Sequence, residues 1–258
     1  MKRIKTDEAS CKRRHGGIMF LKIQSVTFML LLIILFSGVV SGGDYNSAAA
    51  VLLDRIALGE GTTDAAAQKH GLASAYDITY AYGIYNPKDS KPLTEMTIGE
   101  VKQLQQQMLA NQAGSSAVGK YQILYKTLFG DARTGAPGLQ KTLGLSDNIP
   151  FDAATQEKLG LALLEVRNFK DWINGKISDY QFQQNMAKEW ASVADPDTGK
   201  SRYGTDGMCC GCTPGIKCQS VGTTSEQIRE AMTKAKSLFG ISQPRITLTL
   251  YVHYGSAS

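Results

Sequence analysis

The residue of this chain best placed to do chemistry is a carboxylate at the end of an apolar run. Glu60 stands in Gly59-Glu60-Gly61-Thr62, directly after Val51-Leu52-Leu53-Asp54-Arg55-Ile56-Ala57-Leu58. That run predicts a core-facing helix, so Glu60 falls where a rigid element stops and the backbone opens. A general acid needs such a place, with one apolar side that keeps the carboxyl protonated and one side open to substrate. A second segment, Ser115-Ser116-Ala117-Val118-Gly119-Lys120-Tyr121-Gln122, is a small-residue turn expected to lead into a helix carrying Tyr121 and Gln122. The two segments are expected to form facing walls of a cleft.

The elements that must position these residues are mostly helical. Residues 44–59 predict the first helix, with Ala48, Val51, Leu52 and Ile56 on one face. Residues 62–93 mix Tyr76, Tyr80, Tyr82 and Tyr85 with Gly, Asp, Asn and Pro, a pattern that predicts a small hairpin sheet. Thr97-Ile98-Gly99-Glu100 has the spacing of a capping box and opens a helix to about Asn111, with Ile98, Val101, Leu104 or Gln105, Met108 and Leu109 as its stripe. Ala117 to Phe129 is expected to be helical. Asp152 caps a helix through Asn168 with Leu159, Leu163, Leu164 and Val166 inward. A further helix starts at Ser178-Asp179-Tyr180-Gln181 and runs to about Ser192. The last follows Thr224-Ser225-Glu226, with Ile228, Met232, Ala235 and Leu238 at helical spacing. Residues 245–254 alternate as a strand would. The class is α+β, mostly helical with a small β-hairpin sheet.

Charge is distributed unevenly. Seven of the 28 basic residues but only two of the 23 acidic ones lie within residues 1–42, which leaves 21 of each beyond. The net charge of +5 therefore belongs to the leader, and no bulk excess remains to favour nucleic acid. The basic stretch runs into Phe28-Met29-Leu30-Leu31-Leu32-Ile33-Ile34-Leu35-Phe36 and then small residues, the pattern of an export signal. Residues 1–42 read as a signal peptide cut after Gly42 or, from Val26 to Val40, as a signal anchor in the membrane. Met19 is an alternative start. Either way the rest of the chain, a domain over 44–240 and an extension over 241–258, is expected in the periplasm or cell envelope. Cys209, Cys210, Cys212 and Cys218 crowd one loop at 208–218, which in an exported chain reads as two disulfides. A bond between the neighbours Cys209 and Cys210 would be strained, so each is expected to pair with Cys212 or Cys218. Zinc is the weaker reading, because the paired spacing of zinc ribbons is missing.

Other chemistries lack their residues. Histidine is confined to His15, His70 and His253, without a recognisable partner for any. There is no Gly-x-Ser-x-Gly elbow and no His-Glu-x-x-His. Gly114 to Lys120 lacks the ending of a P-loop. No cofactor and no metal are expected.

Several blocks occur in order: Gly59-Glu60-Gly61-Thr62, Ala75-Tyr76-Asp77, Lys91-Pro92-Leu93-Thr94-Glu95-Met96-Thr97, Ser116-Ala117-Val118-Gly119-Lys120-Tyr121-Gln122 and Glu189-Trp190-Ala191-Ser192. Together, over roughly residues 46–210, the series resembles the phage lambda endolysin-like family of peptidoglycan lytic transglycosylases. The resemblance implies a lysozyme-like fold and cleavage between N-acetylmuramic acid and N-acetylglucosamine without water, leaving a 1,6-anhydro end. Glu60 matches the catalytic glutamate of that family. Glycan strands of peptidoglycan are then the expected partner. A muramidase on the same fold and a non-catalytic glycan-binding envelope protein are the alternatives.

Glycoside cleavage usually employs two carboxylates, and Asp64 and Asp77 are the candidates for a second. With one, Glu60 would protonate the leaving oxygen and then accept a proton from the sugar's own 6-hydroxyl. Ser116, Lys120, Tyr121, Gln122, Tyr76 and Tyr203 are the candidate substrate-binding residues. Each has a structural alternative: Ser116 as a helix cap, Tyr121 as core, Lys120 as surface charge, Gln122 as a turn brace, Tyr76 and Asp77 as supports for the hairpin. Trp190 is expected to anchor packing around the site, with Glu189 in a structural hydrogen bond. Two parts exceed the family core, the cysteine loop and the tail from Ile241. An exported enzyme of this kind suits local wall remodelling, such as opening gaps for an envelope-spanning apparatus, or attack on competitors.

Overall fold

The computed structural model describes residues 42–204 and 220–241. The cysteine loop, the leader and the alternating tail lie outside the described residues. Helix α1 spans Gly42–Glu60 and buries Ala48, Ala49, Leu52, Leu53, Ile56 and Ala57. Its main partner is the helix at the other end of the described chain, α9, Ser225–Ile241. That helix turns Ile228, Met232, Ala235 and Phe239 inward, the i, i+4, i+7 series of an amphipathic helix. Thr224 and Gln227 reciprocate hydrogen bonds at its start, a capping arrangement.

Between these two helices the chain builds the rest of one core. After α1 come a short helix α2, Asp64–Lys69, and single turns of 3-10 helix at Ala75–Asp77, Tyr80–Gly83 and Leu93–Glu95. Helix α3, Ile98–Ala110, begins with the capping box expected at Thr97 and Glu100. Helix α4, Tyr125–Phe129, leads into a two-stranded antiparallel sheet, β1 (Gly130–Asp131) and β2 (Ala136–Pro137), in register Gly130 to Pro137 and Asp131 to Ala136. A short helix α5, Leu139–Thr142, precedes α6, Ala153–Val166, whose N-cap Asp152 accepts from the Thr155 amide at 2.8 Å. Then follow α7, Phe169–Ile173, and α8, Asp179–Ala187, with a capping box of Ser178 and Gln181. Trp172 and Phe182 stack between α7 and α8 with centroids 4.4 Å apart. The architecture is α+β, helices with a small sheet.

Several expectations need correction. The hairpin sheet lies at 130–137, not within 62–93, where α2 and the 3-10 turns stand. Ala117 to Phe129 is helical only from Tyr125, because Gly119 and Gln122 take positive φ (75° and 50°) and Val118 bridges back to Ile123. Left-handed residues interrupt a right-handed helix. Helix α8 ends at Ala187, short of Trp190 and Ser192. Leu109 and Val166 face solvent, 47 % and 56 % exposed, since each sits at a helix end where the stripe has turned away from the core.

Candidate functional site

Glu60 is the last residue of α1, and what surrounds it comes from far along the chain. The loop after α8 carries Ser192, which is buried. The Ser192 hydroxyl donates to Glu60 Oε1 at 2.7 Å, and its amide approaches the same oxygen at 3.4 Å. The serine is itself fixed, because its carbonyl accepts from the amides of Gly222 and Thr223 at 3.1 and 2.9 Å. Ala194 donates to Thr223 O at 3.0 Å and continues this parallel contact.

Two glycines permit the approach. A Cβ on Gly59 would lie 2.3 Å from Thr223 Oγ1, and one on Gly222 would lie 1.9 Å from Gly59 O. The end of α1 and the 222–223 backbone therefore meet where no side chain could stand. Burial pushes the Glu60 carboxyl above the ordinary carboxylate range, and the two Ser192 donors offset that only in part. No charged side chain contributes to its shift among the described residues, and Oε2 has no hydrogen-bond partner among them. The result is a carboxyl held by one oxygen, biased toward its acid form.

The Ser116–Gln122 segment is a tight backbone turn beside this corner. Val118 pairs with both Thr79 and Ile123 in isolated bridges, and Gly119 N donates to Ile78 O at 2.7 Å. At Gly119 a Cβ would lie 2.2 Å from Gln156 Oε1, the atom that accepts from Lys120 N at 3.0 Å. Two bonds tie the turn to the Glu60 corner. Thr62 Oγ1 lies 2.5 Å from Lys120 O and 3.0 Å from Ala57 O, and Trp190 Nε1 donates to Tyr121 O at 3.3 Å. The buried Trp190 and Ser192 stand two residues apart on one loop.

The side chains of the turn are directed differently from the sequence-based expectation. Tyr121 is buried in the core, against the flat side of Gly160, and its hydroxyl donates to Glu157 Oε1 at 2.7 Å. Tyr76 donates to the same oxygen at 2.6 Å, and Lys120 Nζ lies 3.1 Å from it and 3.0 Å from Asp54 Oδ1. The Lys120 ammonium also stands over both rings, 5.2 Å from Tyr76 and 5.4 Å from Tyr121. Burial would lower the Lys120 ammonium, yet Asp54 and Glu157 outweigh it and hold it above its usual range. Burial would likewise raise Glu157, but Tyr76, Tyr121 and Lys120 together bring it below the usual carboxylate range. Three candidate substrate-binding residues thus belong to one polar cluster organised by Glu157.

The remaining candidates are placed as follows. Ser116 is buried, and its hydroxyl accepts from Tyr125 N at 3.0 Å, satisfying the first amide of α4. Its carbonyl accepts from Gln105 Nε2. Gln122 Nε2 donates to Gly119 O at 3.0 Å within the turn. Tyr203 is half-buried, with its hydroxyl donating to Lys188 O at 2.6 Å. Glu189 pairs with Arg167 through Oε2, at 2.8 Å to Nε and 2.5 Å to Nη2.

The carboxylates considered as a second catalytic group are engaged elsewhere. Asp77 is buried and accepts from Thr94 N, Thr94 Oγ1 and Ser74 Oγ at 3.0, 2.8 and 2.8 Å. Asp64 accepts from Ala75 N at 2.8 Å. Both brace the 74–94 segment. Sequence reasoning missed Ser192 as the partner of Glu60, and Glu157 altogether. The fragment Glu189-Trp190-Ala191-Ser192 carried the only signal for the first.

Comparison with protein families, with curated proteins and with solved structures gives no match to this chain. Among the described residues no group of His, Cys, Asp and Glu could hold a metal ion. Among them, too, no helix is long and apolar enough to cross a membrane.

Proposed function

We propose that this protein is an exported peptidoglycan lytic transglycosylase of lysozyme-like fold, with Glu60 as its general acid and base. The observation that carries the reading is the state of Glu60, a carboxyl raised by burial, tethered through Oε1 to Ser192 and free at Oε2 among the described residues. A general acid works best when its protonated form persists near the working pH. Glu60 has that bias without a neighbouring charge to create it.

In this reading Oε2 carries the proton to the glycosidic oxygen between N-acetylmuramic acid and N-acetylglucosamine. The C–O bond breaks, and the resulting carboxylate takes the proton of the muramic 6-hydroxyl as that oxygen closes on C1. The product is a 1,6-anhydro end, with no water consumed. The engagement of Asp77 through both carboxylate oxygens supports this over hydrolysis, since that buried group is not left as a ready base for water.

Mass spectrometry of soluble products from peptidoglycan, run beside the Glu60→Gln variant, tests it. Anhydro-ended muropeptides that vanish in the variant are expected. Reducing ends would indicate a muramidase, and retention of peptidoglycan without any product would indicate a glycan-binding protein.

A further inference from the structure

A second feature lies next to Glu60 and takes no part in the acid chemistry. Tyr82 and His70 stack face to face, with ring centroids 3.7 Å apart and planes within 8°. His70 is exposed and Tyr82 is 36 % exposed, so an aromatic surface is presented to solvent. The Tyr82 hydroxyl lies 3.5 Å from the carbonyl of Gly61, the residue after Glu60.

The backbone beneath this pair is strained. Ala81, Tyr82 and Gly83 have φ of 52°, 55° and 88°, and the first two are not glycine. A bulky residue in the left-handed region persists only where the surroundings enforce it, and such residues gather at ligand-binding places. Here the surroundings are explicit. Thr79 is buried and donates through Oγ1 to Asn86 Oδ1 at 3.1 Å, while Tyr82 N donates to Thr79 O at 2.9 Å and Asn86 N to Gly83 O at 3.0 Å. Thr79 also pairs with Val118 of the turn beside Glu60. The loop is thus pinned to the same turn that flanks the acid.

We infer that Tyr82, backed by His70, is a stacking platform for a pyranose ring of the glycan strand, adjoining the residue cut at Glu60. This rests on the proposed function for the identity of the glycan. A sugar presents a face of C–H groups that packs on an aromatic ring, while its hydroxyls stay hydrated at the edges. A ring held beside the acid by a rigid loop fixes one sugar of the strand without contributing a proton or a charge.

The test is binding of the full chain, in the Glu60→Gln background so that glycan is not consumed, to insoluble peptidoglycan by sedimentation. Tyr82→Leu keeps apolar bulk but removes the ring, and should weaken binding about fivefold or more. Tyr82→Phe keeps the ring and should bind within about twofold of the parent. Equal affinity of the Leu and Phe variants would overturn the inference. Anhydro products from the wild-type chain together with such equality would remove the platform alone. Loss of binding in Tyr82→Leu without products from the wild type would leave the platform and remove the enzymatic reading.

Discussion

Glu60 and Glu157 are the same side chain in two opposite settings. Glu60 is raised by burial with only Ser192 to stabilise its ionised form, whereas Glu157 is lowered because two tyrosine hydroxyls and an ammonium converge on it. Burial acts in the same direction on both. The difference lies in the donors: a single serine cannot offset desolvation, while Tyr76, Tyr121 and Lys120 together do. Glu157 therefore belongs to the scaffold, and Glu60 is left with the proton-binding bias that acid catalysis requires.

The largest expected contrast is in activity. Glu60→Gln should lower the rate of anhydro-muropeptide release by about a thousandfold, the order a general acid contributes. Glu157→Gln should leave a rate within about tenfold of wild type, since its effect reaches the site only through the position of the turn. Rates measured on the same peptidoglycan by quantifying anhydro ends would break the comparison if the two losses were alike.

Stability should move in the opposite sense. Glu157→Gln weakens charge-assisted bonds from Lys120, Tyr76 and Tyr121 and should cost about 1–2 kcal/mol at neutral pH, reduced by the partial exposure of the group. Glu60→Gln should instead stabilise by about 1 kcal/mol, because a neutral amide replaces a carboxyl whose ionised form burial disfavours. The signs with pH follow from the shifts. The folded pKa of Glu157 is depressed, so its contribution is present above the ordinary carboxylate range and is lost as pH falls through the folded value. That of Glu60 is raised, so its cost appears as pH rises through the ordinary range and levels off above the folded value. Urea unfolding at neutral and acid pH should therefore show both variants converging on wild type in acid, from opposite sides. Parallel curves would undo the contrast.

What the sequence could and could not disclose follows a similar division. The starts of α3, α6 and α8 were legible, because a cap needs only residues three apart: Thr97 with Glu100, Asp152 with Thr155, Ser178 with Gln181. The place of Glu60 at a helix end was legible for the same local reason, whereas the small sheet of the α+β class was expected at 62–93 and lies at 130–137. The 62–93 segment was not, since tyrosines spaced among turn residues fit a hairpin as well as the single 3-10 turns that form. The 117–124 stretch misled in the same way, for its left-handed residues are held by contacts from Ile78 and Gln156 that lie far off in the chain. Ser192 is 132 residues from Glu60. No local pattern could pair them, and the close approach of Gly59 and Gly222 is among the distant contacts that bring the loop into reach.

That pairing gives the smallest and most discriminating prediction. Ser192 donates twice to one oxygen of Glu60, which both orients the carboxyl and favours its ionised form. Ser192→Ala removes the shorter bond and keeps the amide contact. The plateau rate should fall about tenfold, the value of one hydrogen bond to a charged or partly charged group. At the same time the Glu60 pKa should rise further, because a donor favouring the carboxylate is gone. The alkaline limb of the pH profile for kcat/KM, where the acid form is lost, should therefore move to higher pH. Ser192→Thr, which restores a hydroxyl, should return the limb toward its original position. A rate loss with an unmoved limb would mean that Ser192 only packs the loop, and Glu60 would then owe its raised pKa to burial without any tuning from its partner.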